Sequence, residues 1–528
     1  MRSTVNLLAL SAVLLMVCVF PAPADEALER PNIIFAFADD WGREASAYRE
    51  ADRPTISDAV QTPNFDMLAK NGVLFWDAHV SAPSCSPSRT AVLTGRHFFR
   101  NGSGAQLHNP WTGKPEDDPV KKLESYHTLL ADAGYHTGVT HKTHVSMHLF
   151  GGKGNTYNKA GRKVNGFSQH VMKGKTEAER EKLKQQLLDE TRKNMQQFLD
   201  KRKDGQPFCW YYSPTNVHRV WVWESGTVMW GIQEGDLKGK LPKFMPDNAL
   251  IRQDLADYLG EVVAFDQQLG VLIDELKQRG LYENTIIVVS GDHGAPGFPR
   301  GKTNLVNYGT QVPLAFHWPE GIAKPGRIVK NPTSLVDLAP TLLEAAGLPV
   351  HEQMDGNSLL PILKDGKAEG HTDLGNEFVI TGRERHKVEA REGRLPYPSR
   401  AIRTKDFLYI RNFKPERWPQ FDPPMTKGLG THGDFDGGPT KQWYAENQDD
   451  PKYKTYMEFA WGLRPAEELY DLTNDVDQMT NLAGDPKFAA VKKELADKLM
   501  DVLEAGEDPR IMGEGDAFDK PPYWKQNR

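Results

Sequence analysis

Cysteine is nearly absent: three residues in a chain of 528, which excludes a disulfide framework as the source of stability. Positive charge is not in excess either. Lys and Arg number 65 against 71 Asp and Glu, a formal net charge of -6, so the chain lacks the basic field that nucleic-acid backbones attract. The 46 glycines and 36 prolines are scattered, too sparse for a collagenous or disordered protein. Beyond the amino terminus no apolar run is long enough to span a bilayer. What remains is the composition of an acidic, enzyme-sized globular protein, with length for two or three domains and a large core.

The amino terminus bears on the compartment. Arg2 precedes an apolar run from Leu7 to Phe20, and Ala22-Pro23-Ala24 follows as an A-x-A cleavage site. This pattern reads as a secretory signal peptide over residues 1–24. Val17 stands where a lipoprotein signal needs a small residue before Cys18. The expected product is exported, periplasmic or secreted (or held in a lysosomal-type compartment), and retains only Cys85 and Cys209.

Along the remaining chain, helical periodicity alternates with short apolar strands. Strands are expected at Asn32–Phe37, Val73–Val80, His136–Thr140, Phe208–Tyr212 and Thr285–Ser290, with helices near 62–71, 125–133, 176–202 and 248–279. The alternation predicts an α/β fold with a large, mostly parallel sheet flanked by helices. Such sheets bind ligands beyond the carboxyl ends of their strands, and polar residues recur there: Asp39 and Asp40, Lys142 and His144, His218, Asp292 and His293. After about Gly370 the texture turns charged and turn-rich. A smaller α+β carboxyl-terminal domain is expected over residues 371–528, with strands near 378–381, 401–403 and 407–411 and a helix near 488–504. The larger domain is then 25–370, and Lys414–Tyr456 reads as long loops.

Asp39 and Asp40, adjacent after a buried strand, repel each other and need a nearby cation or solvent. With Asp292-His293 they form a hard, oxygen-rich donor set that suits Ca²⁺ or Mg²⁺ better than zinc. In Cys85-Ser86-Pro87-Ser88-Arg89, Pro87 fits the first turn of a helix and puts Cys85 at its amino end. Free N–H groups and the helix dipole make that end an anion site, to which Arg89 adds a fixed cation.

These residues resemble the type I sulfatase family, in which the cysteine of a C-x-P-S-R motif is oxidised to formylglycine by a maturation enzyme. The resemblance covers most of the chain from Pro31 onward and implies an alkaline phosphatase-like fold. It also implies Ca²⁺, one per chain, held by Asp39, Asp40, Asp292, His293 and the modified Cys85. By the same resemblance Lys142, His144, His218 and Lys302 complete the catalytic set with Arg89. Lys142, His218 and Lys302 would also hold substrate. The hydrated aldehyde at Cys85 would attack sulfur, with Arg89, Lys142 and Lys302 holding the sulfo oxygens. His218 would protonate the leaving atom, and His144 would take a proton as sulfate is expelled. The chain departs from the family at His141-Lys142-Thr143-His144, where Gly-Lys-Trp-His is usual.

Gly301-Lys302-Thr303-Asn304-Leu305 and Asn101-Gly102 with Leu107-His108 resemble the sulfamidase (heparan N-sulfatase) branch, although that branch has Arg where Lys302 stands. The implied substrate is a sulfated carbohydrate, with N-sulfoglucosamine favoured. O-sulfated polysaccharides, or phosphate and phosphonate esters, are the alternatives. A carbohydrate-binding protein without turnover remains open if Cys85 is unmodified. Arg385 and His386 in Arg383-Glu384-Arg385-His386 are candidate sugar contacts. Trp221, Trp223 and Trp230 could wall the site or simply pack.

Overall fold

The computed structural model describes residues 30–152, 156–157, 162–423, 433–513 and 515–525; the expected signal peptide lies outside them. A large sheet contains β1 (Asn32–Ala38), β2 (Val73–His79), β3 (His136–His141), β4 (Phe208–Ser213), β5 (Thr285–Gly291), β6 (Gln311–Val312), β7 (Leu314–His317) and β8 (Arg327–Ser334). Its order is β3-β4-β1-β5-β7-β2-β6, with β8 also paired to β2. β3, β4, β1 and β5 run parallel, as do β2 and β8. The two short strands β6 and β7 run antiparallel to their neighbours.

β1 is apolar throughout because both its faces are covered. Ile34, Ala36 and Ala38 join a core against the helices Glu177–Leu199 and Ala249–Gln278. Ile33, Phe35 and Phe37 join the opposite core, which includes residues of the helices Cys85–Thr94, Tyr126–Asp132 and Leu338–Ala345. Cys209 lies on this second face, buried and unpaired. Each fully buried Leu, Ile or Phe contributes about 1.5–3 kcal/mol. The long helices start where local chemistry tells them to. Asn248 accepts from the Ile251 N–H at 3.0 Å, and Thr176 with Glu179 forms a reciprocal capping box.

A second sheet, β12-β11-β10-β9, is wholly antiparallel. It comprises β9 (Phe378–Arg383), β10 (Ser399–Thr404), β11 (Phe407–Asn412) and β12 (Glu467–Asp471). One face packs Ile380, Ile402, Tyr409 and Leu469 against Leu495, Leu499 and Leu503 of the helix Ala489–Ala505. The other places Ala401, Leu408 and Ile410 on Leu305 and Val306 of the first sheet's loops. Arg403 pairs with Asp77 of β2 at 3.0 Å, and the Gly382 N–H donates to the Ser81 carbonyl at 3.0 Å.

Part of the stretch expected as loops is helical. Pro439–Asn447 opens with Pro439 in its first turn and buries Tyr444 in an aromatic cluster with Phe435 and Trp461. Tertiary burial of a few large rings orders this helix, which carries no clear apolar stripe. β6 and β7 were likewise not anticipated, being short segments separated by Pro313.

Arg400 is fully buried, donating from Nε to Asp508 at 2.6 Å and from Nη2 to Glu384 at 2.9 Å. Replacing it with Met strands two buried carboxylates that Arg510 alone cannot neutralise. A loss of about 3–5 kcal/mol is expected, read as a lower urea midpoint at unchanged slope.

Candidate active site

The order β3-β4-β1-β5 brings four carboxyl ends side by side, and the recurring polar residues meet there. Asp39 and Asp40 follow β1, Lys142 follows β3, Ser213 ends β4 and Asp292-His293 follow β5. Asp39, Asp40, Asp292 and His293 are all fully buried. Asp40 adopts φ 61°, and its N–H donates to Asp292 Oδ1 at 2.8 Å, so the turn after β1 is tied to the turn after β5.

The helix Cys85–Thr94 arrives from β2, with Ser84 preceding it and Gly95 ending it in the left-handed conformation (φ 64°). Its first residue lies in the cluster. Cys85 Sγ is 3.3 Å from His293 Nε2, 3.5 Å from Lys142 Nζ and 3.8 Å from Asp39 Oδ1. His144, more exposed, hydrogen-bonds the same sulfur and meets His108 edge to face at 5.0 Å. Burial alone would raise the thiol, but Lys142, Lys302 and His293 outweigh it and hold Cys85 well below its usual range. The site is built to hold negative charge at this position.

One helical turn on, Arg89 is enclosed. It donates to Asp292 Oδ2 at 2.8 Å, to Ser213 Oγ at 2.5 Å and to Asp39 Oδ1 at 3.3 Å, and stands over the Phe37 ring. Lys142 also pairs with Asp39 Oδ2. Lys302 bridges Asp40 Oδ1 at 3.0 Å and Asp436 Oδ2 at 3.2 Å, and Lys387 pairs with the other Asp436 oxygen at 2.8 Å. Burial would lower Lys302, yet Asp40 and Asp436 lift it well above its ordinary value. His218 is about one-third exposed, with Nε2 3.7 Å from Asp40 Oδ2. Its Nδ1 donates to the Arg219 carbonyl, which leaves Nε2 facing the cluster.

The two carboxyl-terminal candidates separate. His386 is buried, with Nδ1 2.7 Å from Ser84 Oγ, and burial followed by Lys302 lowers it well below its usual range. It therefore abuts the site as a neutral ring. Arg385 does not reach the site. Its guanidinium donates to the Arg394 and Phe518 carbonyls and to Gln106, and lies over Trp524, so its donors are spent inside the protein. Trp221 is packing, stacked on Phe298 beneath Arg219. Trp230 stacks on Phe167, and Trp223 is exposed. Sequence reasoning missed Asp436, Ser213, Ser84 and Lys387. Ser213 had a usable signal, its place at a strand's carboxyl end; Asp436 stood among turn residues with none.

The donor set fits a divalent cation. Asp39, Asp40, Cys85, Asp292, His218 and His293 supply overlapping groups of ligand atoms lying within 4.8 Å of one another. Asp40 Oδ2 is buried without a hydrogen-bond donor, a costly state unless a cation takes it up. The His293 Nδ1 donates to the Gly294 carbonyl at 3.1 Å, turning Nε2 toward Asp40 at 3.1 Å and Asp292 at 3.4 Å. Burial would depress His293, but Asp292 and Asp40 raise it to about 9, while burial lifts Asp292 to about 6. The carboxylates thus draw positive charge onto whatever sits between them.

The sheet has an alkaline phosphatase-like architecture, and this cluster of buried acids and cations at its strand ends is suited to holding a cation and a tetrahedral anion. Comparison with known proteins narrows the class. The family profile described as Sulfatase matches residues 31–348, and the profile described as N-sulphoglucosamine sulphohydrolase, C-terminal, matches 301–423. Human N-sulphoglucosamine sulphohydrolase is 30% identical over 488 residues, covering 89% of each chain. An ulvan-active sulfatase of Formosa agariphila is 25% identical over 93% of this chain and 78% of its own. A solved complex with D-glucosamine-2-N,6-O-disulfate as substrate shares the fold, with TM-score 0.59 at 20% identity over 94% of this chain and 100% of that one. So does the phosphonate monoester hydrolase of Agrobacterium radiobacter, with TM-score 0.59 at 18% identity over 91% and 97%. The chain belongs to the sulfatase family, a hydrolase of sulfate esters or N-sulfo groups whose members generally use formylglycine and a divalent metal.

A cation that binds only the folded chain raises its melting temperature. Adding millimolar divalent cation to chelator-treated protein should raise Tm, and Asp40→Asn should reduce the rise. An unchanged Tm in a sample verified as metal-free would count against the site.

Proposed function

We propose that this chain removes the sulfo group of a sulfated glucosamine unit, with N-sulfoglucosamine as the favoured substrate. The observation that carries the reading is the buried Cys85 at a helix start, with Lys142 3.5 Å and His293 3.3 Å from its sulfur. Support for the sugar comes from the human relative and from the carboxyl-terminal profile across residues 301–423. We assign catalysis to residues 25–370 and the outer wall of the site to residues 371–528.

Ca²⁺ is the cation we assign, held by Asp39, Asp40, Asp292 and His293, because the donors are hard oxygens with one imidazole. Oxidation of Cys85 to formylglycine supplies a hydrated aldehyde as nucleophile, and the cation supplies Lewis acidity toward the sulfo oxygens. The chain's own residues do the rest. Arg89 fixes Asp39 and Asp292 in place, and Lys142 after β3 and Lys302 in the loop after β5 would flank the anion from two sides of the cluster. Their charge stabilises oxygens that become more negative in the transition state. His218, with Nε2 toward the cluster and one side open to solvent, is placed to donate a proton to the leaving nitrogen or oxygen. His144, beside the Cys85 sulfur, is the acceptor we assign for a proton released there, since His293 is committed to the cation. Cys85 is 2% exposed, so a maturation enzyme must act before the chain closes over it. Residues 1–24 would direct export. Among the described residues no helix is long and apolar enough to cross a membrane.

The test is release of sulfate from N-sulfoglucosamine, glucosamine 6-O-sulfate and a nitrophenyl sulfate, with phosphate and phosphonate monoesters in parallel. Fastest release from the N-sulfo sugar, absent in Cys85→Ala, is expected. Turnover of phosphonates alone would replace the reading. The peptide containing Cys85 should carry the mass of the aldehyde.

His218→Ala should hurt poor leaving groups most. General acid catalysis contributes roughly 10²–10⁴ in rate, so single-turnover rates should fall by about that factor on the sugar and little on nitrophenyl sulfate, whose phenolate leaves unaided. An equal loss on both would make His218 structural.

A further inference from the structure

Behind the active site lies a cavity of about 580 Å³, none of whose lining residues faces Cys85. The two spaces share a wall. Gly42, two residues after Asp40, donates its N–H to Tyr258 Oη at 3.0 Å, and that hydroxyl donates to Glu44 on the cavity side at 3.0 Å. Gly294, next to His293, packs so closely on the Tyr308 carbonyl that a Cβ would lie 1.9 Å from it.

The cavity is electropositive in a chain whose net charge is -6. Its acids are already engaged. Asp77 is taken by Arg403 and His79, Glu50 by Arg53, which also stands 3.7 Å from Asp477, and Glu44 is buried against Tyr258. Arg53 and Arg403 are spent on those acids, but the remaining cations have no close carboxylate of their own. Arg43 lies between the rings of Trp76 and Tyr48, 4.3 and 5.0 Å from their centroids. Its Nε and Nη2 are buried without an acceptor, and its nearest carboxylate, Glu50, is 3.9 Å away. Around the mouth, Lys240, Lys243, Lys330 and Lys405 pair with no carboxylate among the described residues. A buried guanidinium whose nearest carboxylate is 3.9 Å away and is shared with Arg53 favours a further anion beside it.

We propose that this cavity is a second binding site, for a sulfo-bearing saccharide unit, separate from the reaction centre. The choice of a saccharide over a bare anion rests on the reading of the substrate as sulfated carbohydrate and on shape. The volume falls in the range of sites for organic ligands, far beyond what inorganic sulfate fills, and Trp76, Tyr308 and Phe244 add ring surface to the charged groups. Through this site the enzyme holds a second sulfated unit of a glycan while another is processed across the wall.

Calorimetry on the Cys85→Ala protein tests this without turnover, with a sulfated heparin-derived disaccharide, its unsulfated counterpart and inorganic sulfate as probes. Two binding events are expected for the sulfated disaccharide. Arg43→Gln should weaken one of them about tenfold, as expected for loss of a charged contact, and Lys142→Ala should weaken the other. Lys240→Gln combined with Lys243→Gln, changes at the cavity mouth, should reproduce the first effect if Arg43→Gln perturbs folding. Persistence of both events at full strength in the cavity variants would overturn the proposal. Equal affinity of the cavity for inorganic sulfate or for the unsulfated sugar would also overturn it. Failure of the substrate reading would show separately, as wild-type enzyme that releases no sulfate from these sugars.

Discussion

Three buried carboxylates brought to one point by adjacent strand ends govern the rest of this structure. Asp39, Asp40 and Asp292 have no solvent to screen them, and buried charges of one sign are costly until they are neutralised. Arg89, Lys142 and Lys302 supply that neutralisation from three different segments: a helix, the turn after β3 and the loop after β5. The chain cannot close its sheet without assembling the cluster. The same cations that make the fold tolerable give a tetrahedral anion its binding surface. Cys85 enters this field at the start of a helix, and the depressed thiol reports how strongly the field favours negative charge there.

Much of this was legible in the sequence because the fold imposes simple constraints. β1 reads as an unbroken apolar run since both faces are covered, and Asp39-Asp40 must then fall where the strand emerges. The same rule located Lys142 and Asp292-His293, and strand adjacency turned separate turns into one site. Cys85 and Arg89 were legible for a different reason. They are one helical turn apart, so local spacing alone sets them on one face.

Ser213 apart, the residues that escaped notice depend on contacts that no local pattern encodes. Asp436 and Lys302 are 134 positions apart by number, and only the docking of the second sheet brings them to 3.2 Å. Arg385 failed for the converse reason. An arginine beside a histidine in a polar cluster looks available, but its donors were claimed by Arg394 nine residues on and by Gln106 and Phe518 from two distant segments. His386, its neighbour, faces the other way along the strand exit and reaches Ser84. The two lie in the turn after β9, and which of them faces the site is decided by the docking of the domain rather than by residue type.

Lys302 gives the departure from the sulfamidase branch a physical meaning. An ammonium has three donors and no fixed plane. Here it donates to Asp40 after β1 and forms an ion pair with Asp436 in the carboxyl-terminal region at 3.2 Å, keeping donor capacity for a sulfo oxygen. An arginine would offer a forked, planar contact to the anion but could not satisfy both carboxylates from one atom. Lysine at this position therefore joins domain docking to the charge balance of the site. Lys387 holds the far oxygen of Asp436, so the bridge is fixed from behind as well. Movement of the carboxyl-terminal wall would alter the charge facing the sulfo group, and the position of that wall is part of how the anion is held.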